Sequence, residues 1–283
     1  MSIIGSAWLR RKILPCDLLI WFIRSARRNK YNLGLHYRIG TGVEKDEQKA
    51  VEWYKKAAEQ GYASAQFNLA CCYEDGTGVE KDEQKAVEWY QKAAEQGDTQ
   101  AQCNLGVCYQ HGTGVEKDEQ KAVELYQKAA EQGNTQAQCN LGVCYWHGTG
   151  VKKDEQKAVE LYQKAAEQGD ADAQCNLGWC YNSGTGVEKD QQKAAEFYKQ
   201  AAKQRNARGQ FSLGFCYQYG TGVEQDNQKA VELYEKAAEQ GYANARRQVY
   251  NIYFYNNKRK KEEKIQEITD FYQRKKLKAM KPE

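Results

Sequence analysis

Six near-copies of one turn, Gly-Thr-Gly-Val, begin at Gly40, Gly76, Gly112, Gly148, Gly184 and Gly220, a period of 36 residues without insertion or deletion. Each copy leads into a run such as Glu80-Lys81-Asp82-Glu83-Gln84-Lys85-Ala86-Val87. A fixed period of this length marks a stacked array, in which each unit buries its apolar face only against its neighbours. One unit is too short to build a core alone, so the stack must supply it. The register from about residue 33 to 253 therefore predicts one continuous array instead of the two domains that 283 residues would suggest.

The third copy shows how a unit is built. Asp98 caps a first helix whose Ala101, Leu105, Cys108 and Tyr109 recur on one apolar face. Gly106 on that face permits a close helix approach, and Gly112-Thr113-Gly114 turns the chain. Val115 tucks back towards the core, and Asp118 caps a second helix through Ala122, Val123, Tyr126, Ala129 and Ala130, which Gly133 ends in a left-handed conformation. In the fifth copy Arg205 replaces that glycine, and Asn206 is expected to take the left-handed angle. Gly209 stands where other units carry alanine, so the stack is expected to be loosest over 203–210.

The unit resembles the Sel-one-like repeat family, relatives of the tetratricopeptide repeats. The resemblance is carried by Ala101, Leu105-Gly106, Tyr109, Gly112-Thr113-Gly114-Val115, Asp118, Lys121-Ala122, Tyr126, Lys128-Ala129-Ala130 and Gln132-Gly133. It implies an all-α, right-handed superhelical solenoid of paired antiparallel helices that serves as a scaffold or adaptor for other proteins. Members of the family act in membrane-associated degradation complexes, chitin synthase regulation and signalling, and some arrays are joined to kinase domains. A kinase or signalling complex is thus among the partners implied. The expected organisation is a non-repeat segment over 1–28, six units over 29–241, and a degenerate seventh unit with a basic capping helix over 242–283.

The ends differ from the body. Residues 1–30 hold seven Lys and Arg against the single acid Asp17, and residues 246–283 hold twelve against five acids. With a formal net charge of +4, the array between them is acidic. The apolar run Ile13–Ile23 is only 11 residues long and contains Pro15 and Asp17, whereas a membrane span needs about 20. Arg24 stands where a signal peptide would place its small-residue cleavage site. Residues 1–28 read as an amphipathic cap or as a truncated or misjoined start. At the other end, Lys258–Lys261 precedes Ile265, Ile268, Phe271 and Tyr272 at helical spacing, interleaved with Glu262, Glu263 and Glu267. That mixture reads as a solvated helix, so no nucleic acid is expected, and membrane contact is the minority reading.

Nine of the ten cysteines fall in the first helix: Cys72, Cys108, Cys144, Cys180 and Cys216 in one column, Cys103, Cys139 and Cys175 in a second, and Cys71 beside the first. Residues five apart diverge by about 140° around a helix, and stacked helices lie about 8–10 Å apart, so neither spacing suits a disulfide. Buried free thiols follow, and with no Asn-x-Ser/Thr acceptor the chain reads as cytoplasmic. His36, His111 and His147 form no nucleophile motif or metal spacing, and no Gly-Lys-Ser/Thr completes a phosphate loop. No catalytic residue, metal or cofactor is expected.

A second stripe on the first helices, away from the Leu and Tyr face, offers a partner-binding surface. It comprises Asn68; Asn104, Val107 and His111; Asn140, Val143 and His147; Asn176 and Trp179; and Phe215 and Tyr219. Asparagine amides can pair with an extended peptide or with the adjacent helix, while the variable apolar positions supply pockets on the presumed concave side. The leading expectation is a non-enzymatic scaffold. A membrane-associated adaptor tethered by its ends is the alternative, and a β-lactam-binding or hydrolysing protein, suggested by cysteine-rich relatives, is the remote one.

Overall fold

The computed structural model describes residues 16–254 together with Gln266 and Asp270. The expected features at 1–15, at Lys258–Lys261 and at Ile265, Ile268, Phe271 and Tyr272 lie outside the described residues. No strand occurs among those described. The helices are α1 (Cys16–Ile39), α2 (Glu47–Ala58), α3 (Ala63–Asp75), α4 (Glu83–Glu95), α5 (Thr99–His111), α6 (Glu119–Glu131), α7 (Thr135–His147), α8 (Glu155–Glu167), α9 (Ala171–Ser183), α10 (Gln191–Lys203), α11 (Ala207–Tyr219) and α12 (Asn227–Glu239). Residues 243–254 are also helical. The all-α repeat architecture thus follows the period of the sequence.

The chain divides into two compact units, Met1–Lys153 and Asp154–Glu283. In the first, α1 pairs with α2, α3 with α4 and α5 with α6, while α2 packs on α3, α4 on α5 and α6 on α7. In the second, α9 pairs with α10 and α11 with α12, α8 packs on α9, α10 on α11, and α9 touches α11. The boundary expected between residues 28 and 29 does not interrupt the backbone, because α1 runs straight through it.

The two helices of a repeat bury different amounts of themselves. On α5, Ala101, Gln102, Cys103, Leu105, Gly106 and Cys108 are all buried, because α5 lies between α4 and α6. On α6 burial is confined to the stripe Ala122, Val123, Tyr126 and Ala129, and the opposite face is charged. Asp82 and Asp118 cap the second helices by accepting from the backbone N–H of Lys85 and Lys121, each at 3.0 Å. Asp98 caps α5 in the same way through Ala101 at 2.9 Å.

Three contacts recur between successive helices. The Tyr126 ring occupies the space that a side chain on Gly106 would need: a β-carbon there would stand 2.6 Å from the ring. In the turn, Gly112 closes α5 in the left-handed conformation at φ 74°, and Gly114 at φ 67° lies against the Glu83 carbonyl that opens α4 in the preceding hairpin. The turn therefore also forms an inter-repeat backbone contact. The third contact is a buried amide relay. The Gln102 amide donates to the Ala94 carbonyl at the end of α4 (3.2 Å), and its oxygen accepts from Gln132 at the end of α6 (3.1 Å). Gln66 and Gln96 repeat the pattern, as do Gln174 and Gln204 in the second unit. Each relay gives the buried glutamine amide its partners and adds a second donor to a helix-end carbonyl that already accepts from the following glycine N–H.

Two local expectations are corrected. Arg205 itself adopts the left-handed angle at φ 61°, while Asn206 stays extended at φ −69° and caps α11 by accepting from Gly209. Its side-chain oxygen is committed to that cap. The segment over 203–210 also shows a close approach where looseness was expected: Gly209 is buried, and a β-carbon there would lie 2.6 Å from that of Ala201.

The nine described cysteines outside the first turns of α1 are all free, eight of them buried and Cys71 half-buried. Burial pushes the Cys108 and Cys180 thiols up to about 12, and Cys72, Cys103, Cys144 and Cys216 to about 11. Such thiols are poor nucleophiles.

Replacing Gly114 by alanine is expected to cost about 2–4 kcal/mol, combining left-handed strain with a clash against backbone. Gly133→Ala, at φ 86° with nothing within 4 Å of a β-carbon, should cost only about 1–2 kcal/mol. Urea denaturation of the two variants separates contact from strain. The thiols predict a pH dependence as well. Above their ordinary value of about 8.5 they ionise in the unfolded chain but not in the folded one, so the folded state holds more protons and stability falls as pH rises. The urea midpoint should drop between pH 8 and pH 10, and Cys108→Ala should flatten the slope.

Candidate protein-interaction face

One column of residues on the first helices changes its chemistry from repeat to repeat. In the first unit, α5 and α7 carry half-buried Val107 and Val143, with His111 and His147 exposed at the helix ends. In the second unit the same column becomes aromatic. Trp179 on α9 is 48% exposed, Phe215 on α11 is 42% exposed, and Tyr219 one turn beyond is 58% exposed. The Phe215 and Tyr219 rings meet at 4.5 Å between centroids. Helices α9 and α11 are joined at their starts, where Asp172 accepts from Asn206 at 2.9 Å and faces the Arg208 guanidinium at 3.6 Å. The aromatic positions are therefore held on two packed, tied helices.

The asparagine row is a different matter: of the two roles open to these amides, pairing with a peptide or with the adjacent helix, three of them show internal bonds. Asn68 donates to the Tyr31 hydroxyl (3.1 Å) and to the Ser64 carbonyl (2.9 Å), and its oxygen accepts from Arg38. Asn104 donates to the Tyr90 hydroxyl at 3.1 Å, and Asn140 to the Cys103 sulfur at 3.7 Å. Asn176 is half-buried on α9. Three of the four amides thus serve internal packing, because they flank a row of buried tyrosine hydroxyls that need polar company.

That row is a feature the sequence reading missed. The Tyr90 hydroxyl donates to Glu74 at 2.6 Å, Tyr126 to Gln110 at 2.7 Å, and Tyr234 to Gln218 at 2.7 Å. Each acceptor stands 16 residues before its tyrosine. Burial first, then the neighbouring Cys71, raises the Tyr90 hydroxyl pKa, so it stays protonated and acts as a donor. In the first repeat the acceptor position is Arg38, and the buried Tyr54 hydroxyl has no partner. A comparison of the copies at that one offset would have revealed the exchange.

Other candidate sites carry less. Shallow hollows recur at the turns, for example one lined by Asp82, Glu83, Gly112 and Gly114, and another in the same place in the second unit by Asp190, Gln191, Gly220 and Gly222. Their repetition makes them a by-product of stacking. Among the described residues no three His, Cys, Asp or Glu side chains converge as a metal site, and no helix is long and apolar enough to cross a membrane.

Comparison with known proteins agrees with this geometry. The Sel1 repeat model matches residues 30–62, 63–98, 99–134, 135–170, 171–206 and 207–242. A Sel1 repeat protein from Oxalobacter formigenes is 40% identical over 75% of this chain and 84% of its own, with a TM-score of 0.72. The protective antigen c5321 of uropathogenic Escherichia coli strains, which displays an SLR fold, is 38% identical over 84% of this chain, with a TM-score of 0.71; the match spans 51% of that protein's length. Immunity protein Pa5087 from Pseudomonas aeruginosa is 26% identical over 76% of this chain and 81% of its own, with a TM-score of 0.51. No curated protein matches the chain. Sel1 repeat proteins generally act as protein-interaction scaffolds. With six consecutive matches in register and helix pairs that meet through glycine, tyrosine and buried glutamine, the chain belongs to the Sel1 repeat family.

Proposed function

We propose that this protein is a non-enzymatic scaffold that takes a partner protein or an extended peptide on its first-helix face, anchored in the second unit by Trp179, Phe215 and Tyr219. One observation carries the reading. At a repeat position filled by half-buried valine in α5 and α7, α9 and α11 expose an indole and a phenyl ring while the core around them keeps its composition. Exposed aromatics on packed helices bring large contact area at little cost in side-chain entropy, and such residues dominate interface energetics. Val107, Val143, His111 and His147 line the corresponding face of the first unit and are secondary contacts in this reading. Raised thiol pKa values and buried sulfurs support a structural role for the cysteines, in place of the nucleophile that β-lactam chemistry would need.

The test starts from peptides selected from a random library on the intact protein, with affinities then measured by fluorescence anisotropy. Trp179→Ala and Phe215→Ala should each weaken binding by roughly thirtyfold, the equivalent of about 2 kcal/mol. Trp53→Ala, on the charged outer face of α2 where Lys56 covers the ring at 4.2 Å, should leave affinity unchanged. Equal affinity for all four proteins removes the proposed face.

A further inference from the structure

The first repeat lacks a hydroxyl–acceptor pair that the second, third and sixth repeats make. Where Tyr126 and Tyr234 each donate to a glutamine oxygen 16 residues earlier at 2.7 Å, and Tyr90 donates to Glu74, the same offset before Tyr54 is held by Arg38, whose charge acts on the hydroxyl. A guanidinium has five donors and no acceptor, so it cannot take the tyrosine proton. The result is a fully buried Tyr54 side chain whose hydroxyl has no partner, beside an exposed arginine whose Nη1 donates to Asn68 at 3.2 Å. The Asn68 amide nitrogen is already committed to Tyr31 and Ser64, so its oxygen is what remains for Arg38. Glu74, on the neighbouring α3, is held by the Tyr90 hydroxyl. The cluster thus has an excess of donors and one unmet need, which is for an acceptor oxygen.

We propose that Arg38 and Tyr54, braced by Asn68, form a subsite for a carboxylate of a bound protein, either an acidic side chain or a chain-terminal carboxyl group. The guanidinium receives the carboxylate first, at the surface. Turning on its flexible stem, Arg38 then brings one oxygen to the Tyr54 hydroxyl, giving a charge-assisted bond from each donor. The site lies wholly in the first unit, between α1, α2 and α3, and does not depend on the aromatic residues of α9 and α11.

Acetate is the probe, titrated into the intact protein at constant ionic strength with chloride as the balancing anion, while the Arg38 Nε–Hε resonance and the backbone amides of α1–α3 are followed by NMR. The wild type should show saturable shifts confined to this cluster. Arg38→Gln places at this position the residue that Gln110 and Gln218 provide elsewhere, so it should abolish the saturable response and raise the urea midpoint by supplying the missing acceptor. Tyr54→Phe should also raise the midpoint, and it should weaken the acetate response severalfold. No saturable shift in the wild type overturns the proposal, as it would if water alone satisfied the hydroxyl. Equal shifts in Arg38→Gln overturn it as well. A parallel titration with inorganic phosphate that saturates while acetate does not would overturn the assignment to a carboxylate.

Discussion

Everything in this array depends on how closely one hairpin can approach the next. The second glycine of each turn, at Gly78, Gly114 and Gly150, lies against the carbonyl that opens the preceding second helix, leaving no room for a β-carbon. Gly186 and Gly222 do the same in the second unit. At the other end of the hairpin the glutamine relay joins helix ends through buried amides, and leaving such a group unpaired costs about 1–3 kcal/mol. Both contacts act on backbone groups, which no side-chain repacking can move. A 36-residue period without insertions is therefore a mechanical requirement of the stack.

Within that frame the buried tyrosines set a second condition. A ring over glycine fills the hairpin, but its hydroxyl arrives in a region without water and must find an acceptor. Glu74, Gln110 and Gln218 provide one, and the asparagine amides of the next repeat add another contact at Tyr90. The rows of polar residues that resemble a binding ladder in the sequence are in good part this hidden supply of partners. Arg38 cannot provide an acceptor, and the Tyr54 hydroxyl beside it in the first repeat has no partner.

Recognition is left to the positions that neither condition constrains. The valine, tryptophan and phenylalanine of one column vary while the glycine, tyrosine and glutamine that make the inter-helix contacts recur. Identical cores with differing surface columns let one fold present different chemistry along its length, which is how a repeat protein separates stability from specificity.

The sequence by itself determined the period, the two helices of each unit, their Asp caps, the glycine turns and the absence of disulfide spacing, because these are consequences of local backbone chemistry and of counting along one chain. It also singled out Trp179, Phe215 and Tyr219, since comparing the copies isolates what varies. It could not say that Asn68, Asn104 and Asn140 turn to neighbouring side chains, that Gln102 joins three helices, that Arg205 and not Asn206 takes the left-handed angle, or that Gly209 marks a close approach. The side-chain partnerships and the Gly209 approach depend on which atoms from residues 8 to 37 positions away arrive close to one another, and only the packed tertiary structure brings them there.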